Sequence, residues 1–345
     1  MSAPLVSVLL PCRDAAGTVE ESLRSLSNQS LSDFEIVAVD DGSRDGTPEL
    51  LEAWAERDDR LRVLRTARRG LVPALNDAAR AARGRLLARM DADDVAHPAR
   101  LELQVAFMEE AGPELAACGT GVRYTPREDI GPGLIRYEEW LNGIRTPEEV
   151  RRALFVECPL AHPTLMIRAR ALEELGGYRD EGWPEDYDLV LRLHAAGGRA
   201  ANLDRTLLRW RRGEDRLSRT SPRYGRDAFR RCRVHFLVQG ALPAGRPLVV
   251  WGAGSVGKRF GRELRSRGGE VRAWVDVDPR KIGQRIHGLP VLSPRELAEE
   301  VAGFDGAGPS PYVLAAVGAP GARDEIREEL AGMGLRELRD FRAVA

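Results

Sequence analysis

The first ninety residues alternate short apolar runs with segments of helical periodicity, and few folds accommodate that rhythm. "LVSVLLP" (5–11) is an apolar run ending in Pro, and "GTVEESLRSLSNQ" after it carries apolar residues at helical spacing. "FEIVAV" (34–39) reads as a buried strand, and "DGTPELLEAWAE" as a helix with Asp45 or Thr47 near its start and Pro48 in its first turn. "LRVLRT" (61–66), "PALNDAARAA" (73–82) and "RLLARM" (85–90) continue the pattern. Such alternation predicts a parallel sheet covered by helices on both faces. Ligands of these sheets bind beyond the carboxyl ends of the strands. Asp40 and Asp41 follow one predicted strand and Asp91 and Asp93 another, so the four can meet at one edge.

The stretch "LLARMDADDVAHPARL" (86–101) crowds Asp91, Asp93 and Asp94 behind an apolar run. Like charges this close repel and resist desolvation unless a cation sits among them. A divalent metal is the simplest such cation, and hard oxygen ligands suit magnesium or manganese. In the D-A-D spacing, Asp91 and Asp93 point the same way if the backbone stays extended. Asp94 alone reads equally well as a turn residue capping a helix over 97–111.

Residues 120–160 break the rhythm with a loop and two short helical segments, in which Tyr137 and Trp140 suit either stacking on a ligand or core packing. "GWPEDYDLVLRLHAAG" (182–197) opens with Glu185, Asp186 and Asp188 at a helix start, where the helix dipole favours acidic groups. A basic segment over 211–245 ends in "GALPAGRP", which reads as a linker. A second α/β pattern follows. "PLVVWGAGSVGKRFGRELRSRG" is strand, glycine turn and helix, and its Gly252, Gly254 and Gly257 form G-x-G-x-x-G with Asp276 about twenty residues on. Amides at that helix start could hold a diphosphate. The predicted organisation is therefore a domain over 1–222, a helical linker over 223–245 and a smaller Rossmann-like domain over 246–345.

Composition narrows the function classes. A chain of 345 residues, 43% hydrophobic and 30% charged with a net charge of −1, is an ordinary globular protein with no footprint for nucleic acid. The four cysteines show no pairing or C-x-x-C spacing, which suits a reducing cytoplasm. No apolar run approaches a membrane span and no signal-peptide pattern opens the chain. A cytoplasmic location is expected, with peripheral work on a lipid-linked substrate at the inner membrane face compatible with it.

Five motifs now stand in order: "VSVLLPCRDAAGTVEESLRSLSNQS", "FEIVAVDDGSRDGT", "RRGLVPALNDAARAARGRLLARMDADD", "HPTLMIR" and "GGYRDEGWPEDYDLVLRL". Over roughly residues 5–212 the chain resembles family 2 glycosyltransferases, which have the GT-A fold. The resemblance implies a nucleotide-sugar donor, a hydroxyl acceptor (a sugar, lipid-linked or other), a divalent cation and inversion at the anomeric carbon. It assigns Asp40 to the nucleobase, with Pro11 and Arg13 lining the same pocket, although relatives often carry Asn where Arg13 stands. Asp41 serves the same end or caps the "DGS" turn, and Arg69 approaches the base or phosphate. Asp91 goes to the nucleotide, and Asp93 together with Asp91 to the metal. Asp186 is the general base, with Glu185 as the fallback, and His162 has acceptor-side or structural duty. Relatives often place a His after the last core strand, where Gly213 stands here. The second pattern resembles the nucleotide-sugar-binding N-terminal domain of bacterial sugar acyltransferases, implying a nucleotide at Gly252, Gly254, Gly257 and Asp276. Two other readings stay open on sequence: an NAD(P)-dependent oxidoreductase driven by the C-terminal unit, and a non-catalytic nucleotide-sugar sensor. An oligomer is compatible with all three.

Overall fold

A computed structural model describes residues 3–213, 220–303, 310–319 and 321–345. The chain divides into two compact units, Met1–Val150 with Cys158–Ser221, and Arg151–Glu157 with Pro222–Ala345.

The first unit contains β1 (Val6–Cys12), α1 (Val19–Ser27), β2 (Phe34–Asp41), α2 (Thr47–Ala55), β3 (Leu61–Thr66), α3 (Leu71–Ala81), β4 (Leu86–Arg89), β5 (Val95–Ala96) and α4 (Arg100–Glu110). It continues with β6 (Leu115–Thr125), α5 (Pro132–Asn142), α6 (Pro147–Ala153, whose last turn belongs to the second unit), β7 (Met166–Arg168), α7 (Ala169–Glu174), α8 (Glu185–Ala195) and β8 (Arg199–Arg211). Among the described residues the sheet order is β3-β2-β1-β4-β7-β6-β8-β5. The expected parallel arrangement holds for β3, β2, β1 and β4, whereas β7 runs antiparallel to both β4 and β6. Every residue of β1 and β2 is buried, as near-continuous apolar runs in a doubly covered sheet should be. On α1 the buried residues include Val19, Leu23 and Leu26, one stripe at helical spacing turned to the core.

Register brings the ends of the parallel strands level. Cys12 pairs with Asp40 across β1 and β2, and Leu9 with Arg89 across β1 and β4, so the residues after β1, β2 and β4 emerge at one edge. The expected 97–111 helix begins only at Arg100. Val95 and Ala96 first pair with Arg209 and Leu208 of β8, which carries the chain after the acidic stretch along the sheet before it turns.

The second unit holds α9 (Arg226–Phe236), β9 (Leu248–Trp251), α10 (Ser255–Ser266), β10 (Val271–Val275), β11 (Arg285–Ile286), β12 (Leu289–Leu292), α11 (Pro294–Ala302), β13 (Tyr312–Ala315), α12 (Ala322–Gly332) and β14 (Phe341–Ala343). Its sheet runs β11-β12-β10-β9-β13-β14 and is parallel except at β11. The stretch expected as a linker over 223–245 contains α9 and groups with this unit, as do residues 151–157 from far earlier in the chain. Phe155 of that segment is buried beneath the Arg342 guanidinium, 4.6 Å from its ring centre, and Arg233 donates to the carbonyls of both Val156 and Val344. A fragment starting at residue 246 therefore lacks part of its own core.

Candidate active site

The acidic stretch forms a turn. Its D-A-D backbone is not extended, because the Asp94 amide donates to the Asp91 carbonyl at 3.3 Å and closes it. Even so, Asp91, Asp93 and Asp94 each place a carboxylate oxygen within 4.8 Å of the others. Asp94 is fully buried and accepts from the Arg211 amide at 2.8 Å, so it anchors the turn to β8 and caps no helix. The Arg211 guanidinium donates through Nε to the Asp93 carbonyl at 2.8 Å and forms an ion pair with Glu21. Two residues after Arg211 stands Gly213, and residues 214–219 of the segment in which relatives place a His lie outside the described residues.

On the β2 side, Asp40 and Asp41 divide their work. Asp40 is buried and one carboxylate oxygen accepts from the Ser43 amide at 3.2 Å, so it is Asp40 that steadies the "DGS" turn. Asp41, equally buried, accepts from the amides of Arg69 at 2.7 Å and Gly70 at 2.9 Å and thereby fixes the turn that leads into α3. Gly70 has φ +98, which suits a residue without Cβ at the sharp entry to that helix. Arg13 lies 3.5 Å from Asp41, and the Arg69 guanidinium pairs with Asp77 on α3. Pro11 and Cys12 are buried at the end of β1. The Cys12 thiol is pushed far up by burial and by the nearby Asp40 and Asp91 carboxylates, which makes it inert and places both acids around it.

Facing the acidic turn is a second cluster. His162 is buried, its Nε2 lies 3.2 Å from the Tyr178 hydroxyl and its Nδ1 3.7 Å from Glu185. Burial, reinforced by the Arg89 charge, pulls the His162 pKa well below its usual 6.5 against the pull of Asp91, so the imidazole is neutral. Burial raises the Tyr178 hydroxyl, Arg89 opposes it, and Glu185 and Asp186 add to it. Asn76 of α3 grips the Tyr178 backbone at both N–H and C=O, each at 2.9 Å. At the start of α8, Glu185 is buried while Asp186 is partly exposed. Asp188 is tied to Trp183 Nε1 at 3.0 Å and to Arg192 at 2.6 Å, which gives it the helix-supporting role that its position suggests. Tyr137 and Trp140 both pack, partly buried, against the core with ring centres 5.8 Å apart.

Arg89 joins the two clusters. It ends β4, is 4% exposed and pairs with Asp91. Burial alone lowers its pKa, and Asp91 more than reverses that. Sequence reasoning passed over Arg89, Tyr178 and Asn76. The signal for Arg89 was present, since an arginine inside the apolar run "RLLARM" occupies a position where both faces of the strand are covered.

In the second unit, Gly252 and Gly257 are explained by packing. A Cβ on Gly252, at φ +119, would meet the Ala316 carbonyl oxygen at 2.8 Å, and one on Gly257 would sit 1.8 Å from the Gly252 oxygen. Gly254 has ordinary φ and nothing within 4 Å of a built Cβ. It lines a pocket of about 290 Å³ with Ser255, Val277, Lys281 and Val317. The Asp276 carboxylate accepts from the Ala253 amide, the Asp278 amide and Lys281 Nζ, each at 2.9 Å, so it braces the glycine turn.

Residues 7–176 match the family model described as Glycosyl transferase family 2. The protein named "Putative glycosyltransferase EpsE" of Bacillus subtilis is 31% identical over 67% of this chain and 83% of its own length. The O-antigen biosynthesis glycosyltransferase WbnJ of Escherichia coli is 30% identical over 60% of this chain and 79% of its own. Among solved structures, residues 1–349 of S. aureus TarS with UDP-GlcNAc share the fold at a TM-score of 0.56 and 18% identity, over 76% of this chain and 71% of that one.

Proposed function

The chain belongs to glycosyltransferase family 2, and from that premise we propose that it performs metal-dependent, inverting transfer of a sugar from a nucleoside-diphosphate donor to a hydroxyl acceptor, in the synthesis of a polysaccharide or glycoconjugate. The first unit has the GT-A fold. The observation that carries the reading is the meeting of the Asp91–Asp93–Asp94 turn with the Glu185–Asp186 helix start around Arg89 and His162. The name of WbnJ, with its O-antigen, supports the polysaccharide assignment.

The acidic turn fits a divalent cation, since three carboxylates within 4.8 Å supply hard oxygens and repel one another without one. A cation held chiefly by Asp93 would neutralise charge on the departing diphosphate. Asp91 is aimed at the nucleotide, and Asp40, with Pro11, Arg13, Asp41 and Arg69 around it, forms the base pocket. The acceptor oxygen attacks the anomeric carbon, the bond from that carbon to the diphosphate breaks with its electron pair leaving on the diphosphate, and the acceptor proton passes to a carboxylate. Asp186 suits that step because it is partly exposed, while the buried Glu185 is packed against a neutral imidazole and orients the helix start. Among the described residues no helix is long and apolar enough to cross a membrane. A lipid-linked acceptor would be met from the cytoplasmic face.

A panel of nucleotide-sugars incubated with the full chain and manganese tests the reading. Release of nucleoside diphosphate from one or two donors, lost on chelation and restored by manganese, is the expected result. Turnover that is indifferent to chelator would remove the metal from the mechanism.

A second reading concerns the other unit, where Gly254 is a glycine that neither backbone conformation nor packing requires. A phosphate approaching the start of α10 would require it. The pocket, at about 290 Å³, is at the low end for a small-molecule site and matches one nucleotide better than a dinucleotide. Asp276, engaged by three donors, is also poorly placed to take a ribose. Titration of UDP into the full chain should then show two sites per chain, reduced to one in Gly254→Val with sugar transfer retained. A single site in the unsubstituted protein would leave the glycine turn as a packing device.

A further inference from the structure

We propose that Arg89 is a positioning residue that keeps Asp91 out of the metal's coordination and so sets how tightly the acidic turn holds a divalent cation. The inference rests on the metal-dependent reading above and concerns a residue to which that reading gives no role.

The argument begins with what a buried guanidinium costs. β4 is buried along its length, and leucine or methionine would pack there without any charge to desolvate. Replacing a buried ion pair by apolar residues is often neutral or stabilising, so fold stability is a weak reason for keeping one. Arg89 is 4% exposed and its buried Nε–H has no hydrogen-bond acceptor among the described residues, so even its own donors are not all satisfied there. Its backbone, by contrast, is firmly held. The amide donates to the Leu165 carbonyl at 2.7 Å, and the carbonyl accepts from the buried Arg100 at 2.7 Å. The strand end is rigid, and the guanidinium it carries is committed to Asp91.

That commitment separates the three carboxylates. Asp94 receives the Arg211 amide and Asp91 receives Arg89, while the Arg211 contact at Asp93 goes to its carbonyl. One positive charge beside three negative ones also lowers the attraction of the turn for any cation. Metal release after each turnover benefits from a site that is not too tight. Removing one such charge at close range, in a site of intermediate dielectric, is worth roughly tenfold in binding.

The test is the binding of manganese alone to the full chain, read from the electron paramagnetic signal of the free ion. Arg89→Met should bind manganese about tenfold more tightly than the parent protein while losing turnover, a combination that a merely damaged fold does not produce. Arg89→Lys keeps the charge and should stay within about twofold in affinity. In Arg89→Met with Asp91→Asn the charge is balanced again, and affinity should return to within about threefold of the parent. Unchanged or weaker binding in a folded Arg89→Met protein overturns the proposal, as does equal tightening in the lysine variant. If the single methionine variant does not fold, the double variant is compared with Asp91→Asn alone, and failure to bind more tightly than that single variant overturns it as well. A parent protein that binds no manganese would sink the metal reading itself. Binding by the parent with no change across the variants sinks only the role of Arg89.

Discussion

Asp93→Ala leaves the chain folded and removes metal-dependent turnover of the sugar donor, by roughly a thousandfold or about 4 kcal/mol of transition-state stabilisation. The fold should survive because a contact tying this part of the turn to β8 runs from Arg211 to the Asp93 carbonyl oxygen, which the substitution keeps. Asp94, with its own bond from the Arg211 amide, continues to anchor the turn. Loss of one of three neighbouring negative charges also relieves repulsion, so melting temperature should hold or rise slightly. What the substitution removes is the carboxylate proposed to hold the metal. Circular dichroism and thermal melts check the first half, and donor turnover at saturating manganese checks the second. Near-normal turnover would show that Asp93 is not the metal ligand.

Asp186→Asn should separate binding from chemistry. The amide is close in size to the carboxylate, and its oxygen can still accept from the Tyr187 amide, a bond of 2.7 Å in the parent protein. The start of α8 therefore keeps its geometry, while the group loses the ability to take a proton. Transfer should fall by at least about 100-fold in kcat, the usual worth of a general base, with donor affinity within a few-fold of the parent. Glu185→Gln provides the contrast. Glu185 is 1% exposed and packed against neutral His162, so its change should disturb stability more than turnover. A loss in Glu185→Gln equal to that of Asp186→Asn would move the base one residue back. Weakened donor binding with unchanged turnover in Asp186→Asn would give that residue a different task altogether.

By itself the sequence determined the alternation of the first four strands, the edge at which Asp40 and Asp91 emerge, the glycine turn after β9 and the acidic start of α8. These are local matters. Apolar period, turn residues and helix-start chemistry act over a few positions, and a parallel sheet converts their order into a common edge. The same local view could not see that β7 runs antiparallel to β4, because pairing direction depends on where the irregular stretch before it returns to the sheet. Tertiary structure alone decided which acid does what. Asp41 is open in sequence between base pocket and "DGS" turn, yet it fixes the turn before α3 because Arg69 and Gly70 lie 28 and 29 residues away in sequence and beside it in space. Asp94 was open between metal and helix cap, and it binds the amide of Arg211, 117 residues on. The assignment of residues 151–157 to the second unit has the same character, since nothing in their composition announces that Phe155 will pack beneath Arg342. A carboxylate's partner is fixed by whichever donors the fold delivers within about 3 Å, and those donors come from anywhere in the chain.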